Sequence, residues 1–513
     1  MSRMYAKKYS KNDCKFFSTS RSILALRFFY KALLGGIIFL PSCVSMTQDE
    51  QRQNILFPPC LETSISKSLE TDYFSVGNWP EEKWWKIFDT EQLDAFVAKA
   101  LKGNPSLQAI EQRIELAKQT ATVTGGLLFP LISFDAKETW ELLSKNGVFR
   151  ALNPKLPLNV NVIDLTLSST YEFDFWGKNR NLFNAAMGRM KAEEAEAVQV
   201  ELIITTSIAQ TYFALKTNLL KEQLYLELVA VRKEIFQLES LLREKALFSA
   251  LPPLLSEENV WEIEQQLLAI QEEIATYKHL LNILMGSGPD EHLEIDHSLP
   301  PLPSALTLPE NLSIDLLSRR PDLMAQIWRV EALAHEVGAA KADFYPNISL
   351  TSFAGLQSAL SFPYLFDSGS KTFGLQPAIH LPIFTAGAIR ANIRAKKASF
   401  DDAVYTYNNL LLQSAQEVAD LLVLIQMIFT QKDKQDSIVQ NAEERYQLTL
   451  LRQRSGLDNQ LENYAFKEAL IEKKLTDVEL VYGQYLAAIK LIKALGGGYQ
   501  SEYSLPLQAG SCE

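Results

Sequence analysis

Leu128-Phe129-Pro130-Leu131-Ile132-Ser133 is answered 216 positions further on by Phe344-Tyr345-Pro346-Asn347-Ile348-Ser349. Asn104-Pro105-Ser106-Leu107 is answered at the same shift by Arg320-Pro321-Asp322-Leu323. Further along the shift falls to 210, where Gly177 and Arg180 meet Gly387 and Arg390, and Met285-Gly286-Ser287-Gly288 meets Leu495-Gly496-Gly497-Gly498. Leu242-Arg243 falls on Leu451-Arg452 at 209. Five blocks in one order at nearly one shift make the chain two tandem copies of one unit. A loop between Pro130 and Gly177 absorbs the six-residue difference.

Each unit reads in the same order. A first helix spans about Glu91 to Thr124 in one copy and Pro309 to Ala342 in the other. A proline-marked break and two extended segments follow. In the second segment Leu165, Leu167, Tyr171, Phe173 and Phe175 fall on one side, as do Phe373, Leu375, Ile379, Leu381 and Ile383 in the other copy. Alternation of period two is a strand with one apolar face. Residues 189–251 and 388–455 then contain no glycine or proline, which allows helices of roughly 100 Å. Leu224, Leu228, Val231, Ile235, Leu238 and Leu242 keep heptad spacing, and so do Leu411, Ala415, Val418, Leu422, Ile425 and Phe429. Turns are expected near Pro252-Pro253 and near Ser455-Gly456, with return helices capped at Gly286 and Gly496.

The 513 residues are 47% hydrophobic and 22% charged, as in a folded chain. The net charge of −11 opposes nucleic-acid binding. Cys14, Cys43, Cys60 and Cys512 have no metal-type spacing, and the five histidines form no HxxxH pair. No metal site, cofactor motif or catalytic constellation is present, which points away from an enzyme. Residues 1–42 hold eight basic side chains and one acid, and end in the apolar run Ala32 to Leu40. That is a secretory signal. Leu40-Pro41-Ser42-Cys43 resembles a lipobox, with Cys43 as the lipidated mature N-terminus; a plain signal peptide or a short buried helix with an incidental cysteine are the alternatives. No stretch is read as a membrane-spanning helix, since no run reaches about 18 apolar residues. The expected divisions are signal 1–42, linker 43–85, repeat one 86–300, repeat two 301–498 and tail 499–513.

Four strands per chain cannot close a barrel, and open edges are not tolerated in lipid. If the apolar stripes face lipid, several chains must share one barrel, and three chains give twelve strands. The long helices are too polar to cross a bilayer and stand in water as a tube.

Tyr171-Glu172-Phe173-Asp174-Phe175-Trp176-Gly177-Lys178 resembles the strand-to-helix junction of the TolC-like outer-membrane efflux proteins, in their lipoprotein (NodT/OprM-type) branch. Arg319-Arg320-Pro321-Asp322-Leu323, Leu381-Pro382-Ile383-Phe384-Thr385-Ala386-Gly387 and Ala494-Leu495-Gly496-Gly497-Gly498 carry the same resemblance, which covers about 80–500. It implies a mainly α fold with β: a homotrimer in outer-membrane lipid, with a twelve-stranded barrel and a twelve-helix periplasmic tunnel. It further implies a passive exit duct for a tripartite pump, with a periplasmic adaptor and an inner-membrane efflux pump as partners. Three departures stand out. The first tip, Arg243-Glu244-Lys245-Ala246-Leu247-Phe248, lacks the usual glycine; Gln326 replaces a glutamate; Tyr499 replaces a common tryptophan.

The second tip reads Arg452-Gln453-Arg454-Ser455-Gly456-Leu457-Asp458-Asn459. Gly456 permits the tight turn. The resemblance makes Asp458 a gate residue, with Arg452 and Arg454 as ionic partners within or between chains and Leu457 as an apolar collar. Ordinary solvated turn charges are the plainer reading. Asp174, Trp176, Gly177 and Gly387 mark the strand-to-helix junctions, Asp174 being read as an acid favoured at a helix start. Trp140, Tyr171, Trp176, Phe362 and Tyr364 are expected at the membrane interface or in loops, and Trp84 and Trp85 packed outside the tunnel. A periplasmic coiled-coil lipoprotein with a scaffold or adaptor role is the alternative function. Mass spectrometry of the mature N-terminus should find an acylated Cys43; an unmodified chain starting at another residue would end that expectation.

Overall fold

The computed structural model describes residues 55–500, apart from 57, 58, 60, 304, 310, 311, 313–318, 360 and 361; Cys43, the signal and the tail beyond residue 500 lie outside the described residues. A helix α1 (Glu62–Leu69) leads to strand β1 (Phe74–Gly77), so part of the expected linker is folded. Helices α2 (Glu91–Gly103) and α3 (Pro105–Gly125) precede strands β2 (Leu131–Leu142) and β3 (Asn159–Phe173). The long helix α4 (Lys178–Glu244) and the return helix α5 (Leu251–Leu284) complete the first copy. The second comprises β4 (Leu306–Pro309), α6 (Pro321–Ala342), β5 (Asn347–Ser358), β6 (Lys371–His380), α7 (Ala388–Arg454) and α8 (Gln460–Ala494). β1 pairs in parallel with β4.

The first helix differs from expectation in each copy. Asn104 interrupts Glu91–Thr124, because its side chain accepts from Ser106 N at 2.8 Å and Pro105 takes the first helical position. Pro309 ends a strand, and the helix begins at Pro321. The two breaks do equivalent work. Asn104 Nδ2 donates to Leu284 O at 2.8 Å, and Arg320 donates to Ala494 O at 3.1 Å. The final carbonyl of each return helix is thus satisfied by the residue that starts the shorter helix of its own copy. Gly286 and Gly496 permit this approach. A Cβ there would lie 2.3 Å from Gly103 O and 1.8 Å from Arg319 O, and their φ angles are +77° and +88°.

The long helix starts earlier than the glycine-free run. Gly188 lies inside α4, where a Cβ would sit 3.1 Å from Ala332 Cβ, so it lets α6 come close. At 67 residues each, α4 and α7 reach roughly 100 Å. α3, α4, α6 and α7 pack side by side in the half nearer the sheet; α5, α4, α8 and α7 do so in the other half. The heptad seams are the core. Leu411, Val418, Leu422 and Ile425 are fully buried, and Leu228 and Val231 pack with Ile263 and Ile471. An 18-residue stretch of α7 is apolar enough to cross a membrane by composition, with mean hydropathy 1.3, which revises the expectation that no such run exists. Part of it, including Val418, Leu422 and Ile425, is packed in the core, while Leu412, Val423 and Met427 of the same helix are exposed. Trp84 and Trp85 are buried with Phe88 and Phe213, and Phe213 stacks on Tyr485 at 4.1 Å.

The two hairpins form one antiparallel sheet ordered β2-β3-β5-β6. The register aligns Phe134 with Leu167, Leu167 with Ala354 and Ala354 with Phe373. Ile132, Ser169, Ser352 and Leu375 form the next row, and Phe173, Ile348 and Ile379 a third. The duplicated stripes therefore share one face, although Phe175, Leu381 and Ile383 lie past the strand ends. Phe373 is 85% and Leu375 75% exposed. From Phe173 to Leu165 this face is mainly apolar, interrupted by Ser169 and Ser352, over about 20 Å for strands tilted as in membrane barrels. The opposite face is polar: Ser133 bonds Ser168 at 2.8 Å, and Gln357 donates to Asp164 at 2.7 Å. Leu375→Arg should cost about 2–4 kcal/mol of membrane insertion, whereas Gln376→Arg on the polar face should be tolerated. Recovery of membrane-inserted protein checks this; equal recovery would mean that the apolar face does not meet lipid.

Candidate functional site

The sequence pointed to two places, and the structure puts them at opposite ends of the long helices. At the junction, Asp174 caps α4. Its two oxygens accept from Asn179 N at 3.0 Å and Arg180 N at 2.9 Å, and Arg180 Nε lies 3.4 Å away. The acid favoured by the helix dipole is thus also a specific cap. Gly177 and Gly387 each take the residue before a long helix at φ +73° and +84°, where a Cβ would be strained. Trp176 donates from Nε1 to Pro346 O at 2.8 Å and stacks on Tyr345 at 4.6 Å. It therefore ties the exit of β3 in the first copy to the entry of β5 in the second. The equivalent positions in the second copy, Phe384 and Ala386, carry neither an acid nor an indole. Ile383 and Phe384 stand about nine-tenths exposed.

At the far end, the α7–α8 connection brings the predicted gate residues together. Arg452 donates from Nε to Asp458 Oδ2 at 2.6 Å and from a terminal nitrogen to Oδ1 at 2.7 Å. Such a bidentate pair is stronger and more directional than a single contact. The Asp458 side chain is 7% exposed because the guanidinium covers it, and that guanidinium is itself 58% exposed, so the pair lies at the surface. The hydrogen bonds from Arg452 hold the Asp458 carboxyl below the usual range. Gly456 sits at φ +73°, Leu457 N donates to Arg452 O, and Asn459 caps α8 through Glu462 N. Leu457 is exposed. Among the described residues Arg454 has no ion-pair partner within the chain.

The first tip has the same backbone with different chemistry. Ala246 occupies the left-handed position at φ +56°, and Leu247 N donates to Leu242 O at 2.9 Å. The two tips therefore superpose at 210, with Leu242 on Arg452; the expected 209 was one residue off. The turn lies at 245–250, not at Pro252-Pro253, which sit in the first turn of α5. The ionic clasp of the second tip thus stands where Leu242 and Phe248 stand in the first. Gln326, in place of the family glutamate, is buried and donates to Ala403 O at 3.1 Å.

Reading the sequence missed the end-to-end joints at Asn104 and Arg320 and the link from Trp176 to Pro346. The Asn-Pro and Arg-Pro dipeptides were the available signal for the first; nothing local marks the second. Among the described residues no group of His, Cys, Asp and Glu could hold a metal.

Residues 96–284 and 312–497 match the family model for the outer membrane efflux protein. The chain is 28% identical over 475 residues to the multidrug resistance outer membrane protein MdtQ of Escherichia coli O6:H1, covering 90% of this chain and 97% of that one. It is 25% identical over 482 residues to MdtP of Escherichia coli K12, covering 92% and 96%. The crystal structure of the outer membrane protein VceC from Vibrio cholerae aligns with TM-score 0.73 and 31% identity, over 82% of this chain and all of that one. The outer-membrane channel OprN aligns with TM-score 0.77 at 23% identity, over 88% and 98%, which shows the same fold.

Asp174→Ala should destabilise the start of α4 by about 1 kcal/mol, the usual cost of a lost cap. Amide exchange at Asn179 and Arg180 should quicken while the start of α7 is unaffected. Unchanged exchange at both amides would show that the cap carries no stability.

Proposed function

This chain belongs to the outer membrane efflux protein family, and from that premise we propose that three copies form the passive outer-membrane duct of a tripartite efflux system. A periplasmic adaptor and an inner-membrane pump are its partners, and drugs or other solutes its cargo. The observation that carries this reading is the sheet. Among the described residues β2 and β6 are edge strands with no partner on their outer sides, and the sheet they bound has one largely apolar face with exposed Phe134, Leu167, Phe373 and Leu375. In lipid such edges must be paired. Pairing β6 of one copy with β2 of the next closes twelve strands in three copies, within the range of outer-membrane barrels.

The helical layer supports the same closure. One border is formed by α3 and α5, which expose Leu116, Val123, Trp261 and Leu268; the other is α7, which exposes Tyr405, Leu412, Val423 and Met427. Joining these borders removes apolar area from water. A periplasmic scaffold without a channel would leave the apolar sheet face in water, a large patch that soluble chains avoid. Lipidation of Cys43 would add acyl chains to the anchoring.

The second tip is proposed as the periplasmic gate. The Arg452–Asp458 clasp fixes the turn from within one chain, while Arg454 is free to reach a neighbouring tip around the threefold axis and Leu457 adds an apolar collar. Arg452→Ala, Asp458→Ala and Arg454→Ala should each raise single-channel conductance in planar bilayers, only partly because Leu457 remains. The lowered Asp458 carboxyl keeps the clasp charged above the ordinary aspartate range, and the clasp is lost only as pH falls through the lowered value. Acidification from about pH 7 to 5 should therefore not mimic the substitutions. If all three variants conduct like the parent, the gate lies elsewhere.

A further inference from the structure

A cavity of about 710 Å³ lies where residues 78–85, the stretch of α4 around Glu201 and the glycine turn after α8 meet. It is separate from the sheet and from both tips. Its aromatic wall comes from Trp79, Trp84, Trp85 and Tyr499. Its acids are Glu81, Glu82 and Glu201, and none of them makes an ion pair among the described residues. Burial and the nearby Glu82 charge both raise the Glu201 carboxyl. The lining holds one cation, Arg319, whose guanidinium lies 5.4 Å from the centre of the Trp79 ring and is met by the Gln500 amide oxygen. Three carboxylates against one guanidinium leave the cavity at −2.

The walls are fixed before any ligand arrives. Gly497 and Gly498 take positive φ, and a Cβ on them would lie 2.1 Å from Leu202 and 2.2 Å from the Glu81 backbone. The turn is thus pressed against both acidic segments.

We propose that this cavity binds a drug-sized organic cation, its charge met by Glu82 and Glu201 and its apolar body by Trp79 and the small parts of Trp84 and Trp85 that line the cavity. Aromatic faces attract cations, most strongly where water is displaced. The volume falls in the range of small-molecule sites. An apolar neutral ligand would leave the carboxylates unpaired, and a hydrated metal ion would leave the indoles unused.

The test uses the full-length, detergent-purified assembly and tetraphenylphosphonium, with tetraphenylborate as the probe of equal shape and opposite charge. Titration calorimetry and indole fluorescence should show one saturable phosphonium site per chain and no saturable borate binding. Glu82→Gln with Glu201→Gln, and separately Trp79→Ala, should each weaken phosphonium binding about tenfold or more. Glu82 is exposed, so Glu82→Gln alone keeps the test valid if the double variant does not assemble. Equal affinity in the variants, equal binding of the borate, or no saturable phosphonium binding overturns the proposal. The site lies within one chain and does not depend on the duct reading; bilayer conductance of the same preparation reports the duct separately.

Discussion

A helix of roughly 100 Å cannot stand alone in water; it has to be covered along its whole length. The chain meets that constraint by joining shorter helices end to end. Asn104 holds the final carbonyl of α5, and Arg320 that of α8, so α3 with α5, and α6 with α8, each run as one broken rod beside α4 and α7. Arg320 is further held by Asp322 at 2.7 Å and by Glu417 of α7 at 2.8 Å, which ties the joint to the long helix. The continuous helices α4 and α7, 67 residues each, set how far the tips stand from the sheet, and the joints bring the shorter helices into line beside them. The glycines that close the return helices follow from this demand, because no side chain fits where one helix end meets the next.

This explains which parts of the fold the sequence disclosed. Repetition, strand alternation and heptads are local patterns, and each was readable: the strands fall within a few residues of the stripes, and β5 begins 216 positions after β2. The joints were not readable, because an Asn-Pro or Arg-Pro pair marks a helix start without saying which distant carbonyl it will meet. Gly188 bounds the glycine-free run yet lies inside α4 as a contact glycine, and only the nearness of Ala332 reveals this. Likewise Pro252-Pro253 looked like a turn but opens α5, since proline fits the first helical turn as well as a loop.

The candidate sites were legible in part for the same reason. Arg452, Gly456 and Asp458 lie within seven residues, and their pairing was an expected option. Trp176 was expected at the membrane interface or in the loops, and neither expectation carries its bond to Pro346, which spans 170 residues. The cavity proposed for a cation draws on four stretches more than 100 residues apart, around Trp79, Glu201, Arg319 and Gly497, and although two of these lie in recognisable motifs, nothing local says that they meet.

The two copies have kept one backbone and diverged where symmetry permits. A ring of six quasi-equivalent units from three chains has two kinds of seam. One lies inside a chain, between β3 and β5, and there Trp176 stacks on Tyr345 and donates to Pro346. In the proposed ring the other would run between β6 and the next chain's β2, where Ala386 and Phe129 stand at the positions of Trp176 and Tyr345, and Phe129, Ile383 and Phe384 are exposed. A directed hydrogen bond suits the seam made during folding of one chain, where both partners are covalently tethered. An apolar surface suits the seam made on assembly, because burial is non-directional and tolerates adjustment as chains meet. The tips divide in the same way: an apolar pair of positions at Leu242 and Phe248, and an ionic clasp at Arg452 and Asp458, whose charge can be met or released without repacking a core. Duplication thus supplied the frame, and the seams and tips are where the two halves came to differ.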